Sequence, residues 1–152
     1  MKKISINSPC PCGTQKKYKS GRRKKYKNCC AIYHKGALAH DVFALIRSRY
    51  SAYALSNSKY IMKTTHPNNP DYSTDKESWR KTIEAFSNST EFLKLDVLEA
   101  VQRGDDGFVK FKATLSSGEM LEESHFKRVN NAWLYLSGEI ISTSDSTHPT
   151  AL

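Results

Sequence analysis

The sequence predicts an α+β domain, helices first and hairpin-linked strands afterwards, preceded by a small cysteine knuckle. Three observations predict it. Apolar residues recur at helical spacing between Leu38 and Phe86, the period switches to two from Leu93 onward, and all four cysteines fall within Cys10-Pro11-Cys12-Gly13 and Cys29-Cys30. Helices followed by a run of strands argue for helices packed on one face of an antiparallel sheet. At 152 residues the chain suits one domain plus an appendage. A core of roughly 110 residues buries enough apolar surface to stand alone, whereas about 30 residues usually need a metal or disulfides. We therefore read a module over 1–35, a domain over 36–141 and a flexible tail over 142–152.

The first 35 residues carry eleven Lys and Arg and no acid, while the remaining 117 carry thirteen against fifteen acids, so the formal +9 belongs to the N-terminal module. The start has basic residues but no apolar run long enough for a signal peptide, and no stretch approaches the ~20 apolar residues of a membrane span. A reducing cytoplasm is the expected setting, where clustered cysteines read as metal ligands before disulfides. Two disulfides are the alternative, made awkward by the adjacent Cys29-Cys30.

Two close thiol pairs joined by a loop can converge on one tetrahedral ion, and four thiolates close the shell of a structural zinc site. Cys10, Cys12, Cys29 and Cys30 are the expected ligands of Zn2+. Pro11 limits the chain between the first two, and Gly13 permits a tight turn. Nearby Lys and Arg favour deprotonated thiols. His34 is a substitute ligand or, more simply, a solvated linker residue. Between the pairs, Gly13-Thr-Gln-Lys-Lys-Tyr-Lys-Ser20 and Gly21-Arg-Arg-Lys-Lys-Tyr-Lys-Asn28 are two copies of one octapeptide. Loop closure cost rises by only ~0.6 kcal/mol per doubling of length, so this duplication is compatible with zinc binding, although it should loosen the knuckle. Lys16, Lys17, Tyr18, Lys19, Arg22, Arg23, Lys24, Lys25, Tyr26 and Lys27 form a cationic strip with stacking groups. Such a strip either neutralises phosphates of RNA or the ribosome, or is a solvated loop around the zinc site.

Leu38, Val42, Ile46, Tyr50 and Tyr53 recur at helical spacing, one face of the first long helix. Asn57-Ser58 ends it and caps a short helix through Tyr60, Ile61 and Met62, stopped near His66-Pro67. Pro67-Asn-Asn-Pro70 is a turn-rich loop. Thr74-Asp-Lys-Glu77 has the form of a capping box ahead of Trp79, Ile83 and Phe86. Leu93, Leu95 and Val97 begin the period-two pattern, and Val109, Phe111, Ala113 and Leu115 continue it after Gly104-Asp-Asp-Gly107. Ser116-Ser-Gly118 and Asn130-Asn131 mark reversals leading to strands near 120–129 and 132–140.

The order Cys-Pro-Cys-Gly-Thr, Lys-Lys-Tyr-Lys, Asn-Cys-Cys resembles the SEC-C motif, the zinc-binding tail of the preprotein translocase motor. That motif usually places about eight residues between its cysteine pairs; here residues 13 to 28 intervene. The resemblance implies a zinc module that contacts other proteins, notably a secretion chaperone, or the ribosome. Leu45-Ile-Arg-Ser-Arg-Tyr-Ser-Ala-Tyr53, Tyr60-Ile-Met-Lys-Thr-Thr-His-Pro67, Ser124-His-Phe126 and Trp133-x-Tyr135 resemble the central domain of the YchJ-like family of bacterial proteins. That implies a nuclear-transport-factor-2-like cone, three helices closed on a curved four-stranded antiparallel sheet. Together the resemblances cover residues 9 to about 140. Family members often carry a second SEC-C module; residues 142–152 do not match one, so functions needing two knuckles are not expected.

Relatives with this cone use its cavity as isomerases or dehydratases, and often dimerise through the open sheet face. Arg47, Arg49, Tyr50, His66, Trp79, Glu123, His125 and Tyr135 are the expected lining or rim. His66, Glu123 and His125 are the weak candidates for proton transfer, which needs an acid or base held in an apolar pocket. The bland alternatives are Arg47 and Arg49 anchoring the helix, Tyr50, Trp79 and Tyr135 in the core, and His66 satisfying helix-end carbonyls. No Ser-His-Asp order, phosphate loop or carboxylate pair supports catalysis. The sequence favours a non-enzymatic zinc-binding adaptor that docks on a protein, ribosome or RNA partner. Its rivals are a cone-pocket enzyme or binder of an unknown small molecule, and plain nucleic-acid binding by the basic loop.

Overall fold

Four short-to-medium helices precede a four-stranded sheet in the computed structural model, which describes residues 1–14, 22–143 and 152. A 3-10 turn (Tyr26–Asn28) and α1 (Cys30–His34) belong to the knuckle. Helices α2 (Val42–Ala54), α3 (Ser58–Lys63) and α4 (Lys76–Ser89) follow. Strands β1 (Phe92–Arg103), β2 (Asp106–Leu115), β3 (Gly118–Val129) and β4 (Ala132–Thr143) form an antiparallel meander in the order β1-β2-β3-β4.

Each cone helix starts on a side-chain cap that satisfies one of its free amides. Asp41 accepts from the Ala44 amide at 2.7 Å, Asn57 from Tyr60 at 3.2 Å and Asp75 from Ser78 at 3.1 Å. Helix α2 is buried over most of its surface because the sheet covers one face and the knuckle another. Helix α4 turns Trp79 and Ile83 inward and keeps its Arg80, Glu77 and Glu84 ion pairs on the outside.

The sheet supplies the other half of the core. Val109, Phe111, Ala113 and Leu115 of β2 alternate inward, as do Met120, Glu122, Ser124 and Phe126 of β3 and Trp133 and Tyr135 of β4. Register shifts interrupt β1–β2 between Phe92 and Lys94 and between Val97 and Glu99. Two more interrupt β3–β4, between Leu121 and Glu122 and between His125 and Phe126. Bulges bend and twist strands, and these curve the meander over α2. Asn130 and Asn131 turn the last hairpin with φ of 50° and 66°, the left-handed pair that a two-residue turn requires.

Local differences from the sequence reading have local causes. Leu38 is 53% exposed and precedes α2, because Asp41 captures the helix start. Asp75, one residue past Thr74, caps α4, and Glu77 turns to Arg80 instead of closing a capping box. Leu93 is 60% exposed, put outward by the first irregularity of β1. Strand β4 runs to Thr143, past the expected end at 140, and takes Ser142 and Thr143 from the expected tail. Residues 144–151 of that tail lie outside the described residues, while Leu152 is fully buried.

Candidate metal centre and cone cavity

The cysteine cluster is closed by backbone pairing across the duplicated loop. Pro9 and Lys25 form an antiparallel bridge, flanked by Cys10 N–H to Lys24 O and Tyr26 N–H to Ser8 O, both 2.8 Å. The Lys24 amide also donates to Thr14 O at 2.8 Å, so the ends of the inserted stretch meet. Gly13 takes φ +77° and donates its amide to the Cys10 carbonyl at 3.1 Å, a turn that few other residues make without strain. On the other side, α1 carries Cys30 inward while Cys29 lies half-buried at its start. The Sγ atoms of Cys10, Cys12, Cys29 and Cys30 all lie within 4.8 Å of one another, and Cys12 and Cys29 are 3.5 Å apart. The four sulfurs thus converge across the long loop.

Neighbouring hydroxyls complete the site. Ser51 of α2 donates to Cys30 Sγ at 3.2 Å and lies 3.5 Å from Cys10 Sγ, and Thr14 Oγ1 is 3.0 Å from Cys12 Sγ. The thiols contend for charge. Cys12 is held far below the ordinary thiol range by the thiols of Cys10, Cys29 and Cys30, while Cys30 is pushed far above it by Cys10, Cys12 and Cys29. Four thiolates this close cannot coexist without a cation among them. A tetrahedral zinc with Zn–S near 2.3 Å sets sulfurs roughly 3.8 Å apart, and the observed cluster fits that donor set.

His34 is neither a ligand nor a solvated linker residue. Its Nδ1 accepts from Tyr26 Oη at 2.7 Å and its Nε2 donates to the Ser48 carbonyl at 2.8 Å. Burial lowers its pKa, which keeps the ring neutral and suited to this bridge. Tyr26, expected as an exposed stacking group, is 6% exposed and packs in the knuckle's own core. Arg23 donates to the Cys10 carbonyl at 2.6 Å, and Lys24 supplies the backbone pairing. Arg22, Lys25 and Lys27 are exposed, whereas Lys16, Lys17, Tyr18 and Lys19 lie outside the described residues.

The knuckle is welded to α2. Arg47 Nη1 donates to the Cys12 carbonyl at 2.9 Å and Lys2 N–H to the Leu55 carbonyl at 2.7 Å. The expected pocket residue Arg47 is thus spent on the knuckle side. Its helix neighbour Arg49 faces the other way and is 1% exposed. Arg49 Nη1 donates to Ile61 O, Thr64 Oγ1 and Thr65 Oγ1, tying α2 to the end of α3.

A cavity of about 450 Å³ opens beside Arg49, lined among others by Tyr53, Asn69, Trp79, Ile83 and Tyr135. Arg49, Trp79 and Tyr135 therefore meet there, whereas Tyr50 is core beside Phe92 and His66 holds the loop amide of Asn68. Glu123 is exposed, and His125 sits on the outer sheet face, stacked on Phe108 and 2.8 Å from Asp106. Strand parity explains both misplacements, since 123 and 125 alternate with the inward 122 and 124.

The sequence reading missed Glu122, which is fully buried beside Tyr135 of the cavity lining. Its Oε2 accepts from Ser124 Oγ and from Tyr135 Oη at 3.3 Å. Burial raises its pKa above the usual carboxylate range, opposed by these hydroxyls and by Arg49. Gly138 makes room for the group: a Cβ there would lie 2.0 Å from Tyr135 Oη and 2.6 Å from Glu122 Oε2. The parity of Met120 and Phe126 was the signal that could have found it.

An α+β cone with a four-cysteine knuckle on its first long helix defines the class, an NTF2-like protein bearing a SEC-C-type module. The sequence profile described as "YchJ, middle NTF2-like domain" matches residues 41–138, and the chain belongs to that family. It is 34% identical over 138 residues to a UPF0225 protein of Corynebacterium glutamicum, covering 86% of this chain and 96% of that protein. It is 32% identical over 134 residues to one from Streptomyces coelicolor, covering 88% and 96%. The solution structure of a SEC-C motif containing protein from Rhodopseudomonas palustris matches with TM-score 0.70 at 29% identity, covering 89% of this chain and 100% of that one. A crystal structure of a SEC-C motif containing protein from Psychrobacter arcticus matches with TM-score 0.70 at 26% identity, over 94% and 86%.

Proposed function

We propose that the protein is a zinc-binding, non-enzymatic adaptor that docks through its basic knuckle on an anionic macromolecule, RNA or the ribosome first. One observation carries the reading: four sulfurs within 4.8 Å sit on a segment whose eleven Lys and Arg meet no acid. Zinc, when bound, would neutralise the thiolates and lock the two cysteine pairs together. Ser51 and Thr14 would orient those thiolates, and Arg22, Lys25 and Lys27 remain free to meet phosphates. The match to two SEC-C motif containing proteins supports the same assignment. No helix among the described residues is long and apolar enough to cross a membrane, and a cytoplasmic setting would keep the thiols reduced. The enzymatic alternative loses its proposed proton-transfer residues, since His66, Glu123 and His125 are not among those lining the cavity.

Native mass spectrometry of protein purified without chelator should show one zinc per chain, lost in a Cys29→Ser/Cys30→Ser variant. Co-sedimentation with ribosomes should weaken steeply with salt and be lost when Arg22, Lys25 and Lys27 are changed to Glu. Salt-insensitive binding would point instead to a protein partner. Binding indifferent to those three charges would end the docking reading.

A further inference from the structure

The most unusual object in the cone is a guest from the chain itself. Leu152 is fully buried in the core. Its backbone N–H donates to Glu122 Oε1 at 2.7 Å, and its carbonyl oxygen accepts from Arg49 Nε at 3.2 Å. A buried carboxylate and a buried guanidinium thus read the two polar groups of one residue, while its aliphatic side chain goes into the core. Both hosts are fixed by other bonds: Glu122 by Ser124 and Tyr135, Arg49 by Ile61 O, Thr64 and Thr65. Among the described residues, Glu122 Oε1 takes its hydrogen bond from Leu152 alone. Buried polar groups of this kind are costly to leave unpaired, so the pair calls for a guest offering an N–H and a carbonyl together.

Arg49 and Tyr135 also line the cavity of about 450 Å³, a size typical of small-molecule sites. Arg49 is therefore shared between the Leu152 contact and the wall of a cavity that opens between α4 and the loop at Asn69–Ser73, and Glu122 lies behind that wall, bonded to the hydroxyl of the lining residue Tyr135. We propose that the cone binds N-acylated aliphatic amino acids or leucine-containing peptides, with the amide on Glu122, a carbonyl or carboxylate oxygen on Arg49, and Leu152 occupying the site in cis as a displaceable competitor. The site lies on a different face of α2 from the knuckle, so it stands or falls independently of the adaptor reading.

N-acetyl-L-leucine is the probe, titrated by NMR into the full chain and into a full-length Leu152→Gly variant whose fold is checked by near-UV circular dichroism. The variant should bind at least ten times more tightly than the unaltered chain, because a guest competing with a resident ligand has its affinity reduced by the free fraction. N-acetyl-D-leucine should bind more weakly, and Glu122→Gln or Arg49→Lys on the Leu152→Gly background should cost tenfold or more. In the unaltered chain, high probe concentrations should move the Leu152 methyl resonances to solvent-exposed values. A folded Leu152→Gly variant that ignores the probe, or equal affinity in both chains, would overturn the proposal. Leu152 methyls that never move under excess probe would do the same if the variant does not fold.

Discussion

The two regions that meet on α2 bury polar groups by opposite means. On the knuckle side four sulfurs crowd together in a cluster that could hold a metal ion. On the cone side Arg49 and Glu122 are balanced by hydroxyls, carbonyls and the backbone of Leu152, all from within the chain. The knuckle has few apolar residues of its own, Tyr26 and Ala31 among them, and borrows Leu55 from the end of α2, whereas the cone packs aromatic and branched residues from three helices and four strands. The difference teaches what each region has to hold it together: a four-sulfur cluster able to take a metal in one, extensive apolar packing in the other. A single helix serves both because residues 47, 48 and 51 face the knuckle and residues 45, 49 and 53 the cone.

The largest effect should follow metal removal. Structural zinc contributes on the order of 10 kcal/mol in small modules, so a chelator should abolish amide protection over residues 8–12 and 24–34. Amides of β2 and β3 should stay protected in the same hydrogen-exchange run; a collapse of both would mean that the regions are one cooperative unit. Next in size, Arg49→Met removes the buried donor shared by Ile61 O, Thr64 Oγ1, Thr65 Oγ1 and Leu152 O and should cost about 3 kcal/mol in urea unfolding. Gly138→Ala forces a methyl against Tyr135 and Glu122, with an expected loss of roughly 1–3 kcal/mol and no loss of zinc.

The pH response separates the regions further. Burial raises the pKa of Glu122 in the fold, so the folded state holds its proton more tightly than the unfolded chain. Its contribution is therefore greatest below the ordinary carboxylate pKa and is lost as pH rises through the raised folded value. Glu122→Gln should flatten that fall relative to the unaltered protein in urea midpoints measured from acid to neutral pH. Glu123→Gln, one residue along on the outer face, should shift stability by no more than about 0.5 kcal/mol.

Much of the cone was legible because its signals are local. The inward alternation of Val109, Phe111, Ala113 and Leu115 and the Asn130-Asn131 turn each rest on nearest-neighbour geometry. So does the cap at Asn57. The cysteine pairs were legible for a similar reason, since thiol spacing and basic surroundings constrain ligand chemistry directly. The faces of β3 were not read correctly: choosing Glu123 and His125 over Glu122 ignored the parity that Met120 and Phe126 declare. His34 and Tyr26 were misjudged because their bond to each other, and that of His34 to Ser48, exists only once the knuckle lies on α2.

By itself, then, the sequence determined the element types, the hairpin turns, the cysteine donor set and the confinement of positive charge to the first 35 residues. Composition and short-range periodicity are sufficient for these. Only the tertiary structure decided that Arg47 serves the knuckle while Arg49 serves the cone, and that Leu152 lies against Glu122 from 30 residues away. Those outcomes depend on which surfaces are brought together and desolvated, and no local pattern encodes the balance of burial and pairing across such distances.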